Sequence, residues 1–201
     1  MITKEEFDQM FHSMGMEGDY EKFSVYCGML QDWNQRMNLT AITQPEEIAV
    51  KHFLDSALFL RHSGTLPETL SLIDVGTGAG FPGLVLAVLK PNWKITLLDS
   101  LQKRVNFLET VCRELELDNV RCIHNRAEDG GQAPALREQF QLATARAVAN
   151  LPLLCEYCLP FVEVGGWFLP MKGADPQEEV ERAKKAIGLL GGKLEEVQEY
   201  T

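Results

Sequence analysis

Residues 72–83 read Leu-Ile-Asp-Val-Gly-Thr-Gly-Ala-Gly-Phe-Pro-Gly. An apolar run carrying one acid, Asp74, leads straight into Gly76, Gly78 and Gly80. Glycine accepts backbone angles and close approaches that a Cβ forbids. The segment therefore reads as a buried strand turning sharply into a helix, and the first N–H groups of that helix have no partner within it. A nucleotide-like cofactor is expected at such a turn. Asp74 narrows the choice. A pyrophosphate gains little from a carboxylate in the strand just before it, whereas a cofactor with a cationic or hydroxylated end and no phosphate suits one.

The rest of the chain alternates around this turn. Thr3 and Glu6 form a capping-box signature that opens a first helix carrying Phe7, Met10 and Phe11. Phe23, Tyr26, Cys27, Leu30 and Trp33 recur at helical steps over residues 20–36, and Asn38-Leu39-Thr40 is the expected exit. Thr43 with Glu46 predicts a second capping box and a third helix reaching about Leu60, with Gly64 and Pro67 marking a linker. From residue 70 strands and helices alternate. Strands are expected at 70–75, 93–98, 120–123, 143–149, 167–171 and 193–198. Helices are expected at 81–89, 101–115, from Pro152, and at 176–190, with a short one near 129–134. Apolar strands alternating with helices imply a mostly parallel sheet covered on both faces. The expected fold is α/β and Rossmann-like, with residues 1–66 as an N-terminal helical extension and 67–201 as the cofactor-binding domain. Ligands in such sheets bind beyond the carboxyl ends of the strands.

Several classes are disfavoured. The opening Met-Ile-Thr-Lys-Glu-Glu is polar and acidic, and no apolar run approaches 18 residues, so neither a signal peptide nor a membrane span is expected. A cytoplasmic protein follows as the default. The five cysteines have no disulfide-framework spacing, and Cys155-Glu-Tyr-Cys158 stands among leucines without a second pair, so no metal site is expected. The net charge of −10 argues against broad non-specific nucleic-acid binding but leaves room for a local basic patch.

Two cofactor readings compete at the turn. Gly78-Ala-Gly80-Phe-Pro-Gly83 matches the dinucleotide pattern G-x-G-x-x-G, though its first glycine falls late and Pro82 intrudes. Asp74-Val-Gly76-Thr-Gly78-Ala-Gly80 matches D-x-G-x-G-x-G, the pattern of S-adenosylmethionine (SAM) methyltransferases. Asp99 closes the second strand, where a carboxylate accepts from a ribose diol or caps the next helix. Ala127 and Glu128 follow the third strand, at the place expected for a base edge. Arg146 stands between alanines in the fourth strand and needs a partner, with Asp74 one candidate, or a ligand. Lys172 follows the fifth strand.

Taken with Trp33-Asn34, Asn38-Leu39-Thr40, His52-Phe-Leu-Asp55-Ser56, Leu97-Leu-Asp-Ser100, Lys103-Arg104, Arg126-Ala-Glu128, Ala145-Arg146-Ala147 and Lys172-Gly173, these segments resemble the RsmG/GidB family of bacterial ribosomal RNA methyltransferases. The resemblance runs from about residue 20 to residue 200. It implies methyl transfer from SAM to N7 of a guanine in 16S rRNA, with S-adenosylhomocysteine as product. It places Gly76, Phe81, Ala127, Glu128 and Arg146 around the cofactor, joined by Asp74, Gly78, Gly80 and Asp99. Arg36, His52, Lys103, Arg104 and Lys172 become the candidates for RNA. Related enzymes usually add a seventh, antiparallel strand beside the sixth, and the chain is expected to lack it.

Guanine N7 is an in-plane lone pair without a proton at neutral pH. No catalytic base is therefore expected, only alignment and carboxylates such as Asp55 or Asp74 that tolerate or position moving charge. Phe81 is a candidate wall for the guanine pocket. The expected partner is 16S rRNA or the small ribosomal subunit, met by a monomer with Lys51, His52, Lys103, Arg104, Arg126, Arg146 and Lys172 gathered into a positive patch. The alternatives are a SAM enzyme acting on a small molecule, an NAD-dependent enzyme, and an RNA-binding protein that keeps the fold without catalysis.

Overall fold

The computed structural model describes residues 1–62, 66–146, 148–173 and 176–199. Its N-terminal part is helical: α1 (Lys4–Ser13), α2 (Tyr20–Met37), α3 (Pro45–Ile48), a π-helical segment (Ala49–Leu54) and α4 (Asp55–His62). The Thr3–Glu6 capping box is present on both sides. Helix α2 stops at Asn38, which takes the left-handed conformation with φ 47°, one that asparagine tolerates better than most residues. The second capping box does not form. Pro45 occupies the first turn of α3 and Gln44 precedes it without a side-chain cap, because proline's fixed φ sets where the helix begins.

Five strands follow: β1 (Ser71–Val75), β2 (Lys94–Asp99), β3 (Val120–His124), β4 (Phe140–Arg146) and β5 (Val162–Met171). They form one sheet in the order β3-β2-β1-β4-β5, and every pairing is parallel. Between them lie α5 (Gly83–Leu89), α6 (Gln102–Glu114), α7 (Ala127–Gly130) and α8 (Leu151–Cys158), and α9 (Gln177–Leu189) follows β5. Parallel register sends the ends of all five strands to one edge of the sheet, where the glycine turn, Asp99, Ala127 and Arg146 gather.

Three expectations are corrected. The predicted strand at 193–198 is absent: those residues are irregular. A strand persists only where a neighbour takes its hydrogen bonds, and Leu194 and Val197 alone offer little to bury. The fourth strand runs 140–146 and not 143–149, since its pairing with β5 begins at Phe140 and ends with Arg146 opposite Met171. Residue 147 lies outside the described residues, as does the linker position Gly64. The fifth strand starts earlier than expected, at Val162, and carries a register irregularity around Gly165 and Gly166.

One core runs through both halves of the chain. Phe7, Phe11, Phe23, Tyr26, Phe53 and Ala57 of the N-terminal helices belong to the same buried cluster as Leu72, Leu84, Leu97 and Phe107 of the sheet and its helices. A second cluster, with Ile73, Val75, Leu98, Leu154 and Phe161, fills the opposite face. Among the described residues, no helix is long and apolar enough to cross a membrane.

Candidate active site

The glycine turn is fixed from beneath. Gly76 and Thr77 donate their N–H groups to the Leu98 carbonyl at 2.8 and 3.1 Å, tying the turn to β2. Gly76, Gly78 and Gly80 have φ of 69°, 62° and 101°, values that side-chain-bearing residues rarely adopt. Their surroundings differ. A Cβ on Gly76 would lie 2.8 Å from Val148, and one on Gly80 would lie 2.5 Å from Leu84. A Cβ on Gly78 would meet nothing nearer than the Gly76 carbonyl at 3.9 Å. Gly76 and Gly80 are therefore required by packing, and the open face of the turn lies over Gly78. This open cradle fits a ligand that approaches the backbone closely, as SAM would.

Asp74 braces this turn from inside. Its Oδ2 accepts from the Thr77 hydroxyl at 2.7 Å and from the Gly83 N–H at 2.8 Å, which joins β1 to the start of α5. The side chain is fully buried, and Oδ1 has no hydrogen-bond partner among the described residues. Burial raises its pKa to about 6 against the lowering pull of Thr77, Gly83 and Arg146. Asp99, 2% exposed, performs a similar task from β2. Its Oδ2 accepts the Gly78 N–H and its Oδ1 the Leu101 N–H, both at 2.9 Å. Arg104 lies 3.5 Å from the same carboxylate. Leu101 is the residue before α6, with no side-chain cap, so neither Ser100 nor Asp99 caps the helix itself.

Arg146 ends β4 and finds its partners in the N-terminal segment. Its guanidinium donates to Asp55 Oδ2 at 2.8 Å, to the Lys51 carbonyl at 3.2 Å and to His52 Nδ1 at 3.0 Å. The partner considered from the sequence, Asp74, is replaced by Asp55. These partners come from the π turn: Asp55 donates its N–H to the Val50 carbonyl five residues back. His52 and Asp55, three residues apart, lie on one face of this stretch, and the Lys51 carbonyl completes the set that meets Arg146. Such turns are frequent at functional sites. Phe81 lies beneath. His52 stacks on its ring at 4.3 Å, Tyr26 at 5.4 Å, and the Arg146 guanidinium stands 5.0 Å over it. Phe81 is only 5% exposed, so its main contacts are these side chains.

Tyr26 was legible only as a core position in the sequence. Its hydroxyl donates to the Ala79 carbonyl at 2.5 Å, in the middle of the glycine turn. A tyrosine in an otherwise apolar helix stripe was the available signal, because a buried hydroxyl needs an acceptor. Burial pushes its pKa well up, so it remains a donor. Lys172, a candidate for RNA, donates to the Ala149 carbonyl and pairs with Glu179, both at 2.9 Å. Glu179 in turn accepts the Leu151 N–H. Together they hold the loop that leads from β4 into α8.

Ala127 opens α7 half-buried, and Glu128 is surface-exposed and paired with Arg126 at 3.0 Å. The carboxyl of Glu128 is held below its usual range chiefly by the hydrogen bond from Arg126. Arg36 and Lys103 project from exposed positions on α2 and α6. Of the cations expected to form a positive patch, Lys51, Arg104, Arg126, Arg146 and Lys172 each sit in an ion pair with a carboxylate, which offsets part of their charge. His52 adds none, since burial first and Arg146 second lower its pKa to about 4.

Residues 19–201 match the model of the GidB family, described as rRNA small subunit methyltransferase G. A ribosomal RNA small subunit methyltransferase G from Clostridium botulinum (strain 657 / Type Ba4) is 51% identical over 178 residues, which span 89% of this chain and 74% of the relative. The protein of the same name from Clostridium perfringens (strain 13 / Type A) is 49% identical over 190 residues, 93% of this chain and 79% of the relative. Among solved structures, a putative S-adenosyl-L-methionine-dependent methyltransferase from Methanococcus maripaludis superposes with a TM-score of 0.55 at 14% identity, covering 82% of this chain and 83% of that one. A SAM-dependent methyltransferase from Aquifex aeolicus gives 0.53 at 18% identity, covering 74% and 83%. These two likenesses concern the fold, which is the Rossmann-like fold of SAM-dependent methyltransferases with a helical N-terminal extension. The sequence relatives reach further: the chain belongs to the GidB family, rRNA small subunit methyltransferase G.

Proposed function

We propose that this protein transfers a methyl group from SAM to N7 of a guanine in the 16S rRNA of the small ribosomal subunit. The observation that carries the reading is the open face over Gly78, at the strand-end edge of the sheet, in a chain of this family. When bound, SAM supplies an activated methyl group on a positively charged sulfur. The chain supplies position. Gly78 leaves room for the cofactor, and Asp99 keeps lone pairs beyond those given to Gly78 and Leu101, placed for a ribose diol. Ala127 and Glu128 border the base, and Phe81, His52 and Arg146 form the wall toward the N-terminal helices. Asp74 holds the turn and its field favours a cation above it.

Guanine N7 carries no proton to remove, and among the described residues no free base stands beside the turn. The His52 Nδ1 lone pair is taken by Arg146, and Asp74 is sealed from solvent. Catalysis is then alignment and exclusion of water, with Asp55 and Asp74 as the nearby negative charges. Arg36 and Lys103, exposed and outside the ion pairs above, are the cations proposed to meet RNA phosphates, with Arg104 and Lys172 at the same rim. The protein is read as a cytoplasmic monomer that uses no metal. A transfer assay with labelled SAM, given naked 16S rRNA or small subunits from cells lacking the modification, tests this reading. Label at one guanine N7 is the expected result, and transfer to neither substrate would refute it.

A further inference from the structure

Arg146 has a layer of support behind it that the methyl-transfer reading does not use. A guanidinium only donates hydrogen bonds. His52 Nδ1, 3.0 Å from Arg146, must therefore accept, with its lone pair facing Arg146. The ring proton then sits on Nε2, which donates to Thr40 Oγ1 at 2.9 Å. Thr40 is itself pinned. Its N–H donates to Asn34 Oδ1 at 2.9 Å, its carbonyl accepts from Asn34 Nδ2 at 3.0 Å, and its hydroxyl oxygen also accepts the Ile42 N–H at 3.0 Å. The imidazole is 7% exposed and stacked on Phe81, the same ring that lies under the guanidinium. The charged groups beside it are Arg146 from β4 and Asp55 from its own helical stretch.

We infer that His52 is a positioning residue, a neutral acceptor whose tautomer is dictated by the donor-only Arg146 guanidinium and matched by the Thr40 hydroxyl that Asn34 holds in place, and which fixes that guanidinium at the wall of the cofactor turn. It does not act as a cation toward RNA. A protonated His52 would turn an N–H against a guanidinium and lose that bond. Burial and the arginine both oppose protonation and hold the pKa near about 4. The chain Asn34–Thr40–His52–Arg146 thus carries the geometry of the α2 exit across to the end of β4. The inference rests on the methyl-transfer reading only in taking SAM as what Arg146 helps to hold.

Two measurements on the full chain test it without RNA. Imidazole 15N shifts of His52 in the wild-type protein report the tautomer. An unprotonated Nδ1, unchanged between about pH 5.5 and 8, is expected; titration near the ordinary histidine value, or a proton on Nδ1, overturns the inference. SAM affinity is measured calorimetrically for His52→Ala and His52→Asn. Asparagine places an acceptor oxygen where Nδ1 stands. His52→Ala is expected to weaken SAM about tenfold, the scale of one lost bond to a charged group, with His52→Asn within about threefold of wild type. Equal affinities for all three proteins overturn it, as does an asparagine variant no better than alanine. Should His52→Ala fail to fold, the 15N shifts of the wild type decide alone. Absence of guanine methylation alongside these results would refute the proposed substrate and leave the positioning role standing.

Discussion

Asp74 is a buried carboxylate whose Oδ1 meets no donor among the described residues, and its burial has consequences that pH exposes. Its pKa rises from an ordinary 3.8 to about 6 because burial disfavours the charge. Between those values the folded chain keeps a proton that the unfolded chain has lost. The stability contributed by this group is present below about pH 4 and lost as pH rises through 6. His52 works the other way. With a folded pKa of about 4 against 6.5, it favours the folded state increasingly as pH rises across that interval. The two slopes oppose each other, so the wild-type profile conceals both. Denaturation curves for Asp74→Asn and wild type should show the wild-type advantage shrinking from pH 4 to about 6; a difference flat in pH would refute the raised pKa. A cation placed on the turn lowers the Asp74 pKa. SAM should therefore bind more tightly above pH 6 than below it, whereas S-adenosylhomocysteine, which lacks the sulfonium charge, should vary less; calorimetry at several pH values compares them. Gly78→Val should abolish SAM binding, because the side chain fills the open face and the left-handed backbone rejects a β-branched residue; an unchanged affinity in the same titration would displace the cofactor from this turn.

At the scale of elements, two helical segments reach across to the sheet, and each does so through a side chain that periodicity alone treats as packing. Helix α2 delivers Tyr26 to the Ala79 carbonyl. The π turn delivers Lys51, His52 and Asp55 to Arg146. Tyr26→Phe removes one buried hydrogen bond and leaves the Ala79 carbonyl short of a donor. It should cost about 1–3 kcal/mol in chemical denaturation and weaken SAM binding, since the turn loses its tie to α2. A variant that loses stability but binds SAM normally would show that the tie does not shape the cofactor face. Helix periodicity was readable over 20–36 because packing follows the 3.6-residue repeat. The π turn was not, since it adds one residue locally, and its partner Arg146 lies ninety-odd positions downstream.

The whole molecule shares one core between its helical extension and one face of the sheet. Phe53 stands at the junction, with ring centroids 4.8 Å from Phe23 and 5.3 Å from Tyr26. Phe53→Ala should cost about 3–5 kcal/mol. Because the cluster is continuous, the loss should appear as one earlier transition. Fluorescence of the three tryptophans, Trp33 on α2 with Trp93 and Trp167 in the sheet domain, and far-ultraviolet circular dichroism should coincide; two separated transitions would mean that the N-terminal helices fold independently.

The amino-acid sequence alone determined the alternation of strands and helices, the strand-to-helix turn at 72–83 and the place of Asp99 at a strand end. These follow from local periodicity, from glycine's backbone freedom and from the single direction of a parallel sheet. That Arg146 ends its strand was decided by the structure. The sixth strand failed because a strand depends on a neighbour that no local pattern announces. Only the tertiary structure decided which partner each charge takes: Asp55 for Arg146, Glu179 for Lys172, Asp99 for Arg104. Desolvation at a fold's interior requires pairing but does not name the partner. That is settled by which side chains the packed elements bring within a few ångströms.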